Sequence, residues 1–399
     1  MNNLVLWYDT IGVGNCSYKD VTFTKPSVTE LSDFEIQSTS ANLDSSKINL
    51  YVIELHNVKT HHDIFSLIPP HTKELFNNGL SILIYYPKEG HELEDWFKNI
   101  YDSLQNNNLL DKKVYFLFGD LDFEEHYEKF CKKEGVEHDF LKPLSIDFFR
   151  NYYFQKASKV NTVHNVKKTK DFLFYNGKMR PHRLYSVAKM HELNLLENSY
   201  TSLTGTTHTG ESYTINECLD VLEKMNNRHP LKKELWGTVC DANIKKFAEN
   251  FQPMVLDIEP SNFDKGMMAK TYSSHYLDSY FSIVSESSMT IRFITEKTYK
   301  PIYNLHPFII IGPARFLELL KDKGYVTFPD FFDESYDKEE CHVTRINMVI
   351  KEVKKFVKLS SQKKEKLYYN SIDKLYHNRD NFIKNQNRFN DLLQIVEAL

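Results

Sequence analysis

The chain has 399 residues, which is enough for two or three domains, and its 41% hydrophobic and 26% charged residues are ordinary for a globular protein. Its 50 basic and 54 acidic residues leave a net charge of −4, so no global positive field exists to hold a nucleic-acid backbone, and nonspecific nucleic-acid binding is disfavoured. The 13 glycines, 13 prolines and 14% aromatic residues also exclude collagen-like, low-complexity and disordered classes.

The five cysteines are scattered along the chain, and no two of them form a CxxC pair. This usage indicates a reducing compartment, without a disulfide framework or a zinc knuckle. The first residues lack the positive region and the apolar run that a signal peptide needs, and the longest apolar runs of the chain are only strand-sized. We therefore expect a cytoplasmic protein with no membrane span.

The first part of the chain alternates short apolar runs with amphipathic segments. Continuous runs rich in β-branched and aromatic residues predict buried strands at 4–10, 49–56, 80–87 and 113–120. Helices are predicted between them at 70–78, 91–105 and 123–134, whereas the polar stretch 15–45 is predicted to be irregular. Alternation of strands and helices predicts a parallel sheet with helices on both faces.

A polar, basic stretch at 155–170 precedes a second α/β pattern. Strands are predicted at 171–177, 200–205, 280–287, 306–312 and 326–328. Helices are predicted from Pro181, near 214–226 and 241–250, after Thr295, at 314–323, and from about 338 onward. We predict one α/β domain at 1–165, a second α/β domain at 166–345, and C-terminal helices at 346–399 that pack back on the domains. Ligands of such sheets bind at the carboxyl ends of the strands, in a cleft between the two Rossmann-like domains.

Arginine is unevenly distributed along the chain. Residues 1–100 hold seven lysines, no arginine and thirteen acidic residues, a local net charge of −6. Arg180, Arg183 and Arg292 lie within a few residues of glycine, asparagine, serine or threonine, and arginine is suited to bidentate phosphate recognition. A phosphorylated ligand is therefore expected in the second domain. Scarce arginine is also typical of an AT-rich genome, but that explanation does not account for where the arginines cluster.

The sequence FLFYNGKMRPHR at 172–183 predicts a strand, a basic turn and the start of a helix. Such a turn offers free backbone N–H groups and the positive end of a helix dipole, which suit a phosphate. The candidate ligand-binding residues are Asn176, Lys178, Arg180 and Arg183. A solvated basic turn is the alternative interpretation.

A second motif, at 282–312, contains a strand that ends in Ser-Glu-Ser-Ser, then a Thr-Glu-Lys sequence that leads into a helix. Thr295 is expected to cap this helix. Its candidate ligand-binding residues are Ser285, Arg292, Thr295, Glu296 and Lys297. Glu296 either complements the helix dipole or accepts hydrogen bonds from ribose hydroxyls, and the cations suit a diphosphate.

The order strand, SESS, TEK, helix, HPF, strand, glycine resembles the donor-binding domain of GT-B glycosyltransferases. It is similar in particular to the TEK segment of the α-1,3-fucosyltransferase family, and the wider pattern resembles glycosyltransferase-like proteins of bacteriophages and marine bacteria. The match covers about 170–345, and it implies that the domain at 166–345 binds the nucleotide sugar and that the domain at 1–165 lies on the acceptor side. The resemblance implies that Arg183 and Lys297 hold the nucleotide diphosphate and that Glu296 holds the ribose. It also implies a metal-independent hexosyl- or pentosyltransferase, whose nucleotide sugar is a co-substrate rather than a cofactor.

A base for the acceptor hydroxyl is expected in the acidic first domain, at the carboxyl end of a strand, if the enzyme inverts configuration. We assign this role to Glu89, which follows the strand predicted at 80–87. Asp9 and Asp120 follow other strands and compete for the role. Each of these acids is alternatively a helix-capping or loop residue.

Two further groups of side chains are weaker candidates. Acids in the loop after residue 324 either close the domain surface or touch the donor sugar: Asp333, Glu334 and Asp337. The Asp-Leu-Asp sequence at 120–122 and the His-His-Asp sequence at 61–63 are weak metal signals, because adjacent histidine side chains point apart. No metal site is predicted.

Three functions compete on the sequence. The leading hypothesis is a glycosyltransferase that acts on an acceptor glycan, a protein, or a modified DNA base if the protein is phage-encoded. An inactive carbohydrate- or protein-binding module with the same fold is the alternative. A phosphoryl or nucleotidyl transferase would need a P-loop or a clear carboxylate pair, and no GxxxxGK[ST] sequence occurs. The sugar, the nucleotide, the stereochemistry and the oligomeric state stay open.

Overall fold

The computed structural model describes residues 4–8, 21–22, 35–55, 63–86, 94–137, 139–147, 167–204, 214–227, 240–254, 256 and 273–384. The described residues fall into two compact units, one within 1–148 and one within 149–386, here called unit 1 and unit 2. Both are α/β with mainly parallel sheets, an architecture compatible with two Rossmann-like domains. The boundary predicted at 165 lies outside the described residues and stays a prediction.

Unit 1 contains a seven-stranded sheet. Its strands are β1 (Leu4–Tyr8), β2 (Val21–Thr22), β3 (Glu35–Ser38), β4 (Ile48–Leu55), β5 (Leu80–Tyr86), β6 (Val114–Phe118) and β7 (Lys142–Ser145). Six of them run parallel in the order β3-β1-β4-β5-β6-β7, and β2 pairs antiparallel with the end of β4. The helices are α1 (Pro70–Leu75), α2 (Glu94–Asn106) and α3 (Phe123–Glu134), with 3-10 turns at Ile64–Leu67 and Phe76–Asn78.

The sheet of unit 1 is buried on both faces. Successive side chains of a strand point to opposite faces, and they separate into two apolar clusters accordingly. Val5, Trp7 and Tyr51 belong to one cluster, whereas Leu6 and Leu50 belong to the other. Double-sided burial explains why the central strands have continuous apolar sequences rather than alternating ones.

Unit 2 contains a four-stranded parallel sheet in the order β11-β10-β8-β9. Its strands are β8 (Lys170–Phe174), β9 (Ser199–Thr201), β10 (Ser279–Ser285) and β11 (Phe308–Ile311). Its helices are α4 (Pro181–Glu192), α5 (Ile215–Asn227), α6 (Ala242–Glu249), α7 (Ser273–Asp278), α8 (Glu296–Tyr303), α9 (Phe316–Asp322), α10 (His342–Val357), α11 (Ser361–Asn370) and α12 (Ile372–Lys384), with a 3-10 helix at Glu334–Lys338.

The C-terminal helices are an integral part of unit 2 as far as residue 384. Arg345 of α10 is buried and donates from Nε to the carbonyl oxygen of Gly312, just after β11, at 2.9 Å. Phe356, near the end of the same helix, packs on Phe281 of β10 with ring centroids 4.8 Å apart. Phe382 of α12 packs on Tyr299 of α8 at 5.2 Å. These helices therefore complete the core of unit 2.

Three expectations about secondary structure need correction. The stretch 15–45 is not wholly irregular, because it contains β2 and the edge strand β3. The edge strand β7 was not predicted. Residues 326–328 do not form a strand, because the amide side chain of Asn378 bonds both the N–H and the carbonyl oxygen of Val326, at 2.7 and 2.8 Å. The other predicted strands and helices that fall on described residues are confirmed within a few positions.

Among the described residues, no helix combines the length and the apolar character that a membrane crossing requires. The four cysteines in that part of the chain are all free thiols: Cys131, Cys218, Cys240 and Cys341.

Candidate functional site

The strand order of unit 2 reverses between β8 and β10, because β9 lies to one side of this pair and β11 to the other. In open parallel sheets, such a switch point opens a crevice at the carboxyl ends of the two strands. Ser282 pairs with Leu173, and extending this register by three residues leads to Ser285 and Asn176. Both predicted motifs therefore reach the same edge of one sheet, which we call the switch-point site.

Arg183 joins the two motifs at this edge. The residue lies in the first turn of α4, which begins with Pro181 as predicted, and its side chain is buried. Its guanidinium donates to the carbonyl oxygens of Lys178 at 2.9 Å, Ser285 at 3.2 Å and Glu286 at 3.3 Å. These contacts hold the turn after β8 against the end of β10.

His182 makes a second link to the end of β10. Its Nε2 donates to the carbonyl oxygen of Glu286 at 2.9 Å, so Nε2 carries the proton. Burial, aided by the neighbouring charge of Arg183, lowers the pKa of His182 well below its usual value. The imidazole is therefore neutral, and it shares one carbonyl oxygen with the Arg183 guanidinium.

A buried carboxyl anchors the start of helix α8. Glu286 accepts hydrogen bonds from the hydroxyls of Thr295 at 2.6 Å and Thr298 at 2.5 Å. Burial raises the pKa of Glu286, against the opposing effects of Lys297 and the two threonines. Thr295 also accepts from the backbone N–H of Lys297 at 3.2 Å, which confirms it as the cap of α8.

Glu296 and Lys297 form an ion pair at the first turn of α8. The Nζ atom of Lys297 lies 2.8 Å from Oε1 of Glu296 and 3.2 Å from the hydroxyl of Ser287. Burial tends to raise the pKa of Glu296, but Lys297 and Lys300 outweigh it, so the pKa lies below its usual value. Burial also lowers the pKa of Lys300 to about 8. The Glu296 carboxylate is therefore ionised beside two cationic side chains.

Three buried side chains of the switch-point site have polar atoms without a hydrogen-bond partner among the described residues. The atoms without a partner are the amide oxygen and nitrogen of Asn176, the hydroxyl oxygen of Ser285 and Oε2 of Glu296. Asn176 is 0% exposed, Ser285 1% and Glu296 4%. Leaving a buried polar group unsatisfied costs about 1–3 kcal/mol, more for a charged one. Such groups gathered at one sheet edge mark a place where polar partners are required.

The remaining predicted residues of the second domain lie around this edge. Lys178 and Arg180 are half-buried in the turn between β8 and α4, and Arg180 is the residue that precedes the helix. Arg292 is also half-buried and donates to the carbonyl oxygen of Arg315 at 3.4 Å. The structure therefore brings Asn176, Ser285 and the start of α8 together, while Arg292 contacts the loop before α9.

The loop acids after residue 324 make local structural contacts. Asp333 accepts from the backbone N–H of Ser335 at 3.0 Å, and Glu334 from that of Phe328 at 2.8 Å. Asp337 accepts from the N–H of Leu317 at 2.9 Å, in the first turn of α9. These carboxylates close the loop, as the surface-loop interpretation predicts.

Of the candidate bases in unit 1, Glu89 and Asp9 lie outside the described residues. Asp120 is buried after β6, where it accepts from the N–H of Asp122 at 3.0 Å and lies 2.6 Å from Nδ1 of His126. The hydrogen bond to Asp120 raises the pKa of His126, against an opposing effect of burial. Asp120 therefore stabilises the start of α3.

Two sequences are weak candidates for a metal site, and where their residues are described, the side chains make ordinary hydrogen bonds. Asp63 bonds the hydroxyl of Ser103 and the amide of Asn107, and it caps a 3-10 turn; His61 and His62 lie outside the described residues. Throughout the described ranges, no three histidine, cysteine or acidic side chains converge as a metal site would require.

Sequence reasoning missed Glu286, His182 and Lys300 as parts of this site. Glu286 stands within the SESS motif, but its partners follow 9 and 12 residues later, and only the fold brings them together. Chemically, the site combines an ionised carboxylate, lysines and a helix N-terminus, which suit a ligand with both hydroxyl and anionic groups. No protein-family model and no curated protein matches the chain.

Proposed function

We propose that this protein is a GT-B glycosyltransferase that binds a nucleotide-sugar donor at the switch-point site of unit 2. The observation that supports this most is the position of Glu296. Its carboxylate is ionised and buried, and one of its oxygens has no hydrogen-bond partner among the described residues. A ribose hydroxyl is the kind of donor that would satisfy that oxygen, and this is the role that the fucosyltransferase resemblance implies.

The cations around Glu296 support binding of a diphosphate. Lys297 lies at the first turn of α8, where the helix dipole also favours an anion. Lys178 and Arg180 belong to the turn on the neighbouring strand. Cations held in place before the reaction stabilise the charge that develops on a leaving diphosphate, without a cost of reorganisation.

The role of Arg183 differs from that implied by the resemblance. Its guanidinium bonds three backbone carbonyl oxygens, so we propose that it positions the two motifs rather than contacting phosphate. The acceptor, a glycan, a protein or a modified DNA base, would lose its proton to a base in the first domain. Glu89 stays our proposal for that base if the enzyme inverts configuration.

The alternative is an inactive binding module with the same fold. The three contacts of Arg183 favour it, because a guanidinium that bonds backbone carbonyl oxygens is not available to stabilise a leaving phosphate. The two functions differ in one product. An active transferase releases nucleoside diphosphate from its donor, at least slowly through hydrolysis, whereas an inactive module binds without turnover.

A thermal-shift panel of UDP, GDP, ADP, CMP and TDP, each with its sugars, tests the proposal on the full chain. A ligand at 100 times its Kd stabilises the folded state by about 2.7 kcal/mol. At about 2–4 °C per kcal/mol for a domain of this size, the expected shift is about 5–10 °C. Glu296→Gln should abolish the shift, and the exposed Glu249→Gln on α6 serves as control. No shift and no diphosphate release with any donor would refute the proposal.

A further inference from the structure

The end of α10 and the start of α11 carry a local excess of positive charge. Residues 351–366 contain seven lysines and two glutamates, a net charge of +5 in a chain whose total is −4. On α10 the lysines stand at 351, 354 and 355, and Lys358 follows as its C-cap, the spacing that places side chains on one face of a helix. Val349, Val353 and Phe356 bury the opposite face in the core.

Two of the seven lysines have acidic partners. Lys355 pairs with Glu352 at 2.6 Å, and the buried Lys364 pairs with Asp171 at 2.5 Å. The others form what we call the lysine face: Lys351, Lys354, Lys358, Lys363 and Lys366. Within the described ranges, no ion pair involves any of these five. Four are exposed and Lys354 is half-buried, so their charges are available to a partner.

The lysine face lies away from the switch-point site. Helix α10 begins beside Gly312, after the carboxyl end of β11, where Arg345 bonds the Gly312 carbonyl oxygen. It ends where Phe356 packs on Tyr280 and Phe281, near the start of β10. Lys364 of α11 meets Asp171 at the start of β8. The lysine face is therefore at the amino-terminal edge of the sheet, opposite the carboxyl edge.

An exposed aromatic ring adjoins the lysine face. Tyr369 is 48% exposed and lies three residues after Lys366 on α11, so the two side chains are neighbours. Large hydrophobic or aromatic side chains are exposed at only three described positions, Leu193, Tyr369 and Tyr376. The lysine face thus offers no exposed aliphatic side chain that would insert into a lipid surface, which argues against a membrane as the partner.

We propose that the lysine face, together with Tyr369, binds single-stranded nucleic acid. Lysines that neutralise phosphates release condensed counterions, and an exposed ring stacks on an unpaired base of any sequence. The net charge of the whole chain disfavours such binding, but the five lysines are concentrated on two adjoining helices. The proposal does not depend on glycosyl transfer.

Fluorescence anisotropy of the full chain with a labelled oligothymidine of about 20 nucleotides tests the proposal, over a series of salt concentrations. If the five lysines contact five phosphates, a plot of the logarithm of the association constant against the logarithm of the salt concentration should have a slope of about −3.5. The triple variant Lys351→Glu, Lys358→Glu, Lys363→Glu should weaken binding at least about tenfold and reduce the slope by about 2. Tyr369→Ala should weaken binding about fivefold or more and leave the slope unchanged.

The control makes the same charge change on exposed lysines of α3 in unit 1: Lys129→Glu, Lys132→Glu, Lys133→Glu. It should alter the Kd by less than about threefold, because these three lysines are not part of the lysine face, while the change in total charge is the same. An equal loss in the control, equal affinity for duplex DNA, or binding to phosphatidylserine vesicles but not to the oligonucleotide would each overturn the proposal. If the triple variant fails to fold, two other results test the proposal: the salt slope of the unmodified chain, and the affinity of the Tyr369→Ala variant. A slope near zero, or unchanged affinity of Tyr369→Ala, would then overturn it.

Discussion

Replacing Arg183 by methionine should destabilise unit 2 before it affects any ligand. Methionine fills similar space but donates no hydrogen bond, so the carbonyl oxygens of Lys178 and Ser285 lose a charged donor. The contacts with Ser285 at 3.2 Å and Glu286 at 3.3 Å both come from Nη2 of Arg183, so we count them as one charge-assisted bond. With the Nη1 contact to Lys178, two effective bonds are lost. At about 1.5–3 kcal/mol each they sum to about 3–6 kcal/mol, and relief of guanidinium desolvation offsets part of this. We expect a net loss of about 3 kcal/mol.

Scanning calorimetry measures this loss, and hydrogen exchange at the amides of β8 and β10 identifies the transition of unit 2. At about 2–4 °C per kcal/mol, Tm should fall by about 6–12 °C. Arg315→Met is the matched control, because the Arg315 side chain is 61% exposed and lies 3.9 Å from Glu340, a pair of little energetic value. An Arg183→Met variant with unchanged Tm but lost donor affinity would refute the positioning role and return Arg183 to the phosphate.

Three further predictions concern Lys297, Glu89 and Asp120. Lys297→Ala should weaken donor binding at least about tenfold by titration calorimetry, since a charge-assisted contact is worth about 1.5–3 kcal/mol; unchanged affinity would remove Lys297 from the donor site. Glu89→Gln should lower kcat about a hundredfold in an inverting enzyme while the donor Kd stays near normal, and full activity would end that assignment. Asp120→Asn should lower the free energy of unfolding more at pH 5.5 than at pH 8.5, as measured by urea denaturation. Asp120 raises the pKa of His126 in the folded state, so the pair stabilises the fold when His126 is protonated. This stabilisation is lost as the pH rises through that raised pKa. Equal losses at both pH values would show that the ion pair contributes nothing.

The central strands of both sheets could be predicted because burial on two faces demands continuous apolar sequence. β5 and β6 are almost wholly buried, and a run of five apolar residues identifies each of them. The edge strands lack this signal. In β7 only Leu144 is buried, and Pro143 is tolerated because an edge strand has one side without a partner. β3 likewise has no fully buried residue.

The candidate site could be predicted only where its contacts are local. Thr295 caps α8 through the N–H of Lys297, only two residues later, so the sequence alone predicts its role. Arg183 and Ser285 are 102 positions apart, and nothing in either motif indicates that the guanidinium bonds the backbone of the other. The sequence favours a phosphate for Arg183 because a basic turn between a strand and a helix is typical of anion sites, whereas its buried position favours the carbonyl oxygens.

The packing of Phe382 on Tyr299 has a consequence for biosynthesis. The ring on α12 completes the environment of α8, the helix that bears Glu296 and Lys297, yet it follows Tyr299 by 83 residues. At about 5–20 residues per second, the ribosome adds Phe382 about 4–17 s after Tyr299. During that interval the ribosome also adds β11, whereas the side of α8 that Phe382 covers in the folded protein still lacks that ring. The packing of α8 is therefore completed only after α12 has been added, and the interval is the period in which a chaperone would find Tyr299 without this cover.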